Sequence, residues 1–488
     1  MIAAVIGLPV EWLQAPDYWL ARLILERALG LLYAVAFLTA INQFRPLLGE
    51  RGLLPVPVFL QSVSFRQAPS IFHLHYSDRF LTGLAWVGLA LAGVVVLGVP
   101  DLVPAWVSIL VWLTLWALYL SIVNVGQTFY AFGWESLLLE AGFLAAFLGG
   151  GQIAPPALLI WTMRWLLFRL EFGAGLIKLR GDPCWRDLTC LHYHHETQPL
   201  PNPLSWYFHN LPGTLHRLEV LGNHFTQLVV PFALFAPQPV AACAGAIIVL
   251  TQTWLILSGN FSWLNFLTLA LAVSAFNDPI LERVLPVAPS SLPAPAGWWL
   301  GLSVAVALLV AVLSYWPVRN ILSRRQLMNF SFNPLHLVNA YGAFGSVTKD
   351  RYEVVLEGTQ QGVPSSEATW REYVFKAKPG DPARRPPQVA PYHLRLDWLM
   401  WFAAMSSPLH HPWFMPFVVK LLENDPASIK LLRSNPFPDQ PPRFVRARLY
   451  LYRFTTWSER RESGAWWKRT LVGEYVPPLR LQRAEELE

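Results

Sequence analysis

The stretch from Arg164 to Pro203 reads RWLLFRLEFGAGLIKLRGDPCWRDLTCLHYHHETQPLPNP. Its first half is an apolar helix pattern into which Arg164, Arg169, Glu171 and Lys178 are set. Ionisable groups in a bilayer are retained mainly where they are paired, buried in protein or functional. At 100° per residue, Arg164, Glu171 and Lys178 fall within about 40° of one another on one helix face, and Arg169 points elsewhere. Two turns, roughly 10 Å along the axis, separate neighbours on that stripe, so each needs a partner from another helix. Two roles are open to Lys178: a helix-end lysine snorkelling to the interface, or a desolvated lysine acting as a base, with Glu171 and Arg164 as the further catalytic candidates.

Phe172-Gly-Ala-Gly175 strips the helix of bulk and lets another element pack closely, and Gly181, Asp182 and Pro183 end it. Beyond lies a polar segment with Trp185, Arg186 and Asp187 between Cys184 and Cys190. Six residues apart, these cysteines can close a disulfide in an oxidising compartment. His192, His194, His195 and Glu196 follow. A local H-x-H-H-E run is a weak metal signal, because zinc sites draw ligands from separate elements. His209, His216 and His224, or His73, His75 and Asp78, could add ligands. The run is read as histidines hydrogen-bonding to carbonyls and carboxylates, and neither a metal nor a cofactor is assigned. Cys243, in an apolar run, is read as a packed small residue.

The elements that must hold this segment are membrane helices. Of the 488 residues 54% are hydrophobic and 14% charged, against about 25% charged in soluble domains. Of 37 Lys and Arg, 14 precede residue 320 and 23 follow it. Apolar runs of bilayer length fall at about 18–42, 80–99, 103–124, 134–150, 156–178, 217–236, 239–258, 261–277 and 297–317, about nine spans. The fourth carries Glu135 and Glu140, and Asn223, His224 and Gln227 interrupt the sixth. The 43–79 connection reads as a re-entrant or interfacial segment. Residues 1–16 lack the basic n-region of a cleavable signal. Scattered Arg with Trp and Pro, rather than basic runs, speaks against nucleic-acid binding.

Beyond Arg319 the pattern becomes β-like. Tyr352–Leu356, Glu372–Ala377, Arg446–Phe454 and Trp467–Tyr475 read as strands, with short helices at His393–Ala404, Phe414–Glu423 and 425–433. The expected architecture is a polytopic α-helical membrane domain, 1–319, with a polar extramembrane segment at 179–216, then a β-rich extramembrane domain with short helices, 320–488. Arg384 and Arg385, between prolines, read as solvated. Trp263 and other aromatics read as belt or core residues. The absence of a G-x-S-x-G elbow or other hydrolase motif argues against a lipase.

Over most of its length the chain resembles the lipase maturation factor family. The phrase WLLFRLEFGAGLIKLRGDPCWRDLTCLHYHHETQPLPNPLSWYFHNLP is joined in order by FGWESLLLE, HRLEVLGNHFTQLVVPF, SGNFSWLNFLT, VNAYGAFGSVTKDR, FKAKPGDPARRP and PYHLRLDWLMWFAA. The resemblance implies a multi-pass membrane protein, chaperone-like, that assists folding of secreted lipases. In animals the family works in the endoplasmic reticulum membrane. The compact chain is read as a bacterial inner-membrane relative with a periplasmic C-terminal domain, its partners secreted lipase clients and membrane lipids. Clients would bind the face formed by 179–216 and the C-terminal domain, where Trp185, Arg186, Asp187, His192, His194, His195 and Glu196 are client-facing or structural. A shorter phrase, Gly175-Leu-Ile-Lys178-Leu179 followed by Trp185, is similar to vitamin K-dependent gamma-carboxylase and its relatives. That likeness implies the alternative of a membrane enzyme using Lys178 on a lipid-soluble cofactor.

Sidedness sets two arguments against each other. Arg45, Arg51, Arg66, Arg79, Arg180, Arg186, Arg319, Arg324 and Arg325 share one face, which the positive-inside rule makes cytoplasmic. The resemblance makes the same face extracytoplasmic, as does a persisting disulfide. The reading follows the resemblance, taking much of the charge to serve packing and pairing.

Overall fold

The computed structural model describes residues 10–287, 292–365 and 367–482. Residues 1–9 of the N-terminal stretch considered for targeting lie outside them. The principal helices are α1 (Trp19–Leu48), α2 (Asp78–Val96), α3 (Ala105–Asn124), α4 (Gly133–Ala145), α5 (Ala157–Arg180), α6 (Leu191–Thr197), α7 (Gly213–Leu228), α8 (Val240–Ser258), α9 (Leu264–Ala272) and α10 (Gly297–Leu313). Among the described residues five helical stretches are long and apolar enough to cross a membrane: Pro16–Leu48, Asp78–Val96, Ala105–Asn124, Val240–Ser258 and Gly297–Leu322.

The other four expected spans exist as helices. With 13, 16 and 9 residues, however, α4, α7 and α9 are shorter than the ~20 that a straight crossing takes. The fourth, α5, has the length but carries five charged side chains. Length and composition alone therefore pick out five candidate spanning helices among the described residues, and the expected count of about nine is not confirmed by them. Two of the helices that fail this test are deeply buried: 11 of the 13 residues of α4 and 15 of the 24 of α5 are inside the protein, whereas only four of the 16 of α7 are. A helix surrounded by protein can carry charge that lipid would reject.

Close approach of α1 and α2 depends on glycine. A Cβ at Gly88 would lie 2.3 Å from the Phe37 ring, and one at Gly30 would lie 2.9 Å from Val95. The 43–79 connection is folded into short helices at Val56–Ser62 and Ile71–His73.

After α10 the chain builds a four-stranded antiparallel sheet, order β2-β1-β3-β4, from β1 (Arg351–Thr359), β2 (Arg371–Glu372), β3 (Phe444–Phe454) and β4 (Trp467–Leu479). The expected strand at 372–377 shrinks to β2 and one bridge, Val374 to Ser434. The helix α11 (Arg395–Ala403) packs on β1. One hydrophobic cluster runs from Leu25 in α1 to Val476 in β4. Polar bonds join the same two regions. Gln43 donates to the His393 carbonyl at 2.6 Å, Arg395 donates to the Phe129 carbonyl at 2.7 Å, and Asn260 donates to Pro387 and accepts from Val389 and Ala390.

Two histidines at this junction make it sensitive to acid. His336 bridges Ser136 and Asn124 at 2.9 and 3.0 Å, and His393 lies fully buried among Phe132, Trp134, Trp263 and Trp398. Burial pushes each down to about 4, opposed in both by Glu135 and reinforced at His393 by Arg395. A depressed folded-state value means that the stabilisation is complete above the unfolded value of about 6.5 and is lost as pH falls toward 4. Thermal unfolding of the detergent-solubilised protein should therefore fall between pH 6.5 and 4, and His336→Gln should flatten that slope by up to about one proton. An unchanged slope would contradict the assignment.

Candidate functional site

The ionisable stripe on α5 is inside the protein along its whole length. At one end, Arg164 donates to the carbonyls of Ser274 (2.9 Å) and Leu234 (3.1 Å) and stacks over Tyr18 and Trp161. In the middle, Glu171 accepts from Gln252 on α8 at 2.7 Å, and Gln252 accepts from Asn265 on α9. At the other end, the Lys178 ammonium donates to Asn223 and Gln227 on α7, both at 2.8 Å, and lies 5.0 Å from the Trp185 ring centroid. The polar interruptions of the sixth apolar run are thus the lysine's partners. Lys178 is 5% exposed and does not snorkel, because two amides and an aromatic face satisfy it internally.

The Gly-Ala-Gly turn makes room for this arrangement. A Cβ at Gly175 would meet Gln227 and Leu228 of α7 at 2.8–2.9 Å, and one at Gly173 would lie 2.4 Å from the Tyr341 carbonyl.

Glu171 and Lys178 open on a cavity of about 1400 Å³ bounded by α5, α7, α8, the polar segment, residues 341–348 and α11. Trp185, His194 and His195 also line it. Arg164 does not; about 21 Å of helix separates it from Lys178. The convergence of Arg164 with Glu171 and Lys178 that the enzyme alternative calls for is absent: one stripe serves two ends of the molecule.

In the polar segment Cys184 and Cys190 are joined in a disulfide, Cα atoms 4.8 Å apart. Asp182 caps the turn by accepting from the Cys184 N–H. Trp185 donates to the Phe344 carbonyl and accepts from His224 at its own carbonyl. Arg186, Asp187 and His192 are exposed, so packing and pairing do not account for the first two. His194 is buried, which pushes it down to about 3; it stacks on Phe261 and meets Phe344 edge-on. Glu196 accepts from the Phe454 N–H of β3 at 2.7 Å, and burial pushes it up to about 7. Around it, Arg351 of β1 donates to the carbonyls of Glu196, Gln198 and Pro199.

Several expectations are corrected by these contacts. Arg384 is not solvated: it donates to the carbonyls of Phe375 and Lys376, while Arg385 reaches the Pro203 carbonyl. Trp263, by contrast, is a core residue as one of its two expected roles had it, and donates to the Trp134 carbonyl. Cys243 lies on the outward surface of α8. Residues the sequence reading passed over are Gln252, Asn265 and Glu219; the first two were visible as amides inside apolar runs, and the third as the partner of His216 at helical i,i+3 spacing.

A multi-pass helical region followed by a small antiparallel sheet region, the two sharing one cavity, defines a class of integral membrane protein. Family models agree: the lipase maturation factor transmembrane domain matches residues 20–283, and the lipase maturation factor C-terminal domain matches residues 337–477. The chain is 44% identical to lipase maturation factor 1 of Bos taurus over 514 residues, covering 96% of this chain and 91% of that protein. It is 43% identical to the Homo sapiens protein of that name (96% and 89%) and 31% identical to lipase maturation factor 2 of Homo sapiens (76% and 69%). No solved structure matches. The chain belongs to the lipase maturation factor family. These relatives lend nothing to the carboxylase likeness, which stays confined to the phrase around Lys178.

Proposed function

We propose that this protein is a membrane-embedded maturation factor for secreted lipases that acts by binding, with its clients on the face formed by residues 179–216 and the C-terminal domain. The observation that carries the reading is the cavity: its rim presents Leu215, Leu218, Trp254, Met328, Phe402 and Met405, each at least 37% exposed. Exposed apolar side chains around a concave surface suit a partly folded client whose own apolar surface is uncovered. Family membership supplies the client class.

The nine helices α1–α5 and α7–α10 are read as nine passes, with short helices bridging to the full bilayer depth. The disulfide and the client role both favour an extracytoplasmic position for this face, periplasmic in a bacterial inner membrane and luminal in an endoplasmic reticulum membrane. With Cys243 replaced by serine, a cysteine at Ser365 should react with an impermeant maleimide from outside, and one at Val284 should not. The reverse pattern would overturn the orientation.

The functional test is a host lacking this gene, co-expressing a secreted lipase with or without the protein. Lipase specific activity per unit of antigen should fall several-fold without it while synthesis is unchanged, and Phe402→Asp with Met405→Asp should reproduce the loss at normal protein level. Equal specific activity in all strains would refute the reading.

A further inference from the structure

The wall of the cavity between α6 and α7 brings three ligating side chains together. His195, His216 and Glu219 each present one ligating atom within 4.8 Å of the others. His216 Nδ1 is 3.0 Å from Glu219 Oε2, and His195 Nε2 is 3.9 Å from the same oxygen. Tetrahedral zinc ligands at about 2.0–2.2 Å from the ion sit roughly 3.4 Å apart, so small side-chain shifts close this set around a cation. The donors come from two helices.

The surroundings match what ligands need. The other nitrogen of His216, Nε2, faces the His209 carbonyl at 3.3 Å, and the other oxygen of Glu219, Oε1, accepts from the Trp254 indole at 2.8 Å. Outer contacts of this kind orient ligating imidazoles and carboxylates. His195 is 3% exposed, and both of its ring nitrogens lack a hydrogen-bond partner among the described residues. A neutral imidazole has one N–H, yet both nitrogens of His216 face oxygen acceptors. A cation between His216, Glu219 and His195 satisfies all three.

We propose that His195, His216 and Glu219 bind a divalent transition-metal ion, zinc by ligand type, leaving a fourth position toward the cavity, which His195 and Glu219 line. Water, or an oxygen ligand brought in through the cavity, occupies that position. This site is distinct from Lys178 and Glu171, whose partners are Asn223, Gln227 and Gln252, and does not depend on the client reading.

The test uses the full-length protein in detergent, stripped with a chelator and then titrated with Zn2+. About one ion per chain should survive gel filtration, and His195→Ala and Glu219→Gln should each cut occupancy at least tenfold. His73→Ala, in the other histidine group, should leave it unchanged. Since removal of a buried ligand can also unfold the site, His195→Cys provides a positive readout: its cobalt form should gain a thiolate-to-metal charge-transfer band absent from the unaltered protein. Stoichiometric zinc that persists in Glu219→Gln, absence of zinc from the folded unaltered protein, or no thiolate band in a folded His195→Cys variant would overturn the proposal.

Discussion

Arg169→Ala is expected to destabilise the protein by about 3–5 kcal/mol, the range for removing one partner of a buried ion pair. Arg169 and Glu140 are each 1% exposed and paired between α5 and α4. Glu140 also accepts from the Asn339 N–H (2.9 Å), the Asn339 amide (3.0 Å) and the Tyr341 hydroxyl (2.8 Å), while Arg169 donates to the Asn339 carbonyl at 2.6 Å. The pair therefore fastens the 337–345 connection to the helices as well as α4 to α5. Without the guanidinium, the carboxylate stays buried with no counter-charge. Arg169→Met with Glu140→Gln should recover most of the loss, because the neutral amide still accepts from Asn339 and Tyr341 and no charge is stranded. Denaturant unfolding of the purified variants in detergent checks both; equal stability of the single and double variants would contradict the argument.

Arg351→Ala should detach the polar segment from the sheet. Arg351 is 1% exposed, pairs with Glu353 at 2.6 Å, and donates to three successive-turn carbonyls at 196–199. Each buried carbonyl left without a donor costs about 1–3 kcal/mol, so the 196–203 stretch should become open to protease. Glu353 keeps Lys378 at 2.9 Å, which protects the sheet itself. Arg351→Lys should rescue poorly, since an ammonium lacks the planar fork that reaches several carbonyls at once. Limited proteolysis at normal expression level reads this directly, and lipase maturation should fall with it; intact protection in Arg351→Ala would refute the role.

Much of this molecule is legible in one dimension. Apolar runs located every long helix, with starts within about four residues and ends off by as much as eight, since bilayer thickness and helix rise together set their length. Alternation beyond residue 350 located the strands, and unusual polar residues inside apolar runs (Glu135, Glu140, Asn223, Gln227) marked buried contacts, because hydrocarbon tolerates them only when paired. Which group pairs with which was decided by tertiary structure alone. Glu140 takes Arg169 from a neighbouring helix, but Glu135 takes Arg395 from 260 residues away; periodicity records the face a residue occupies and not what the fold brings to it. The same holds for the proposed metal-ligating set. H-x-H-H-E supplies one member of that set, His195, while the others in the run meet the sheet junction, the aromatic wall or solvent, and the remaining two come from α7, which packs against α5 through Lys178, Asn223 and Gln227.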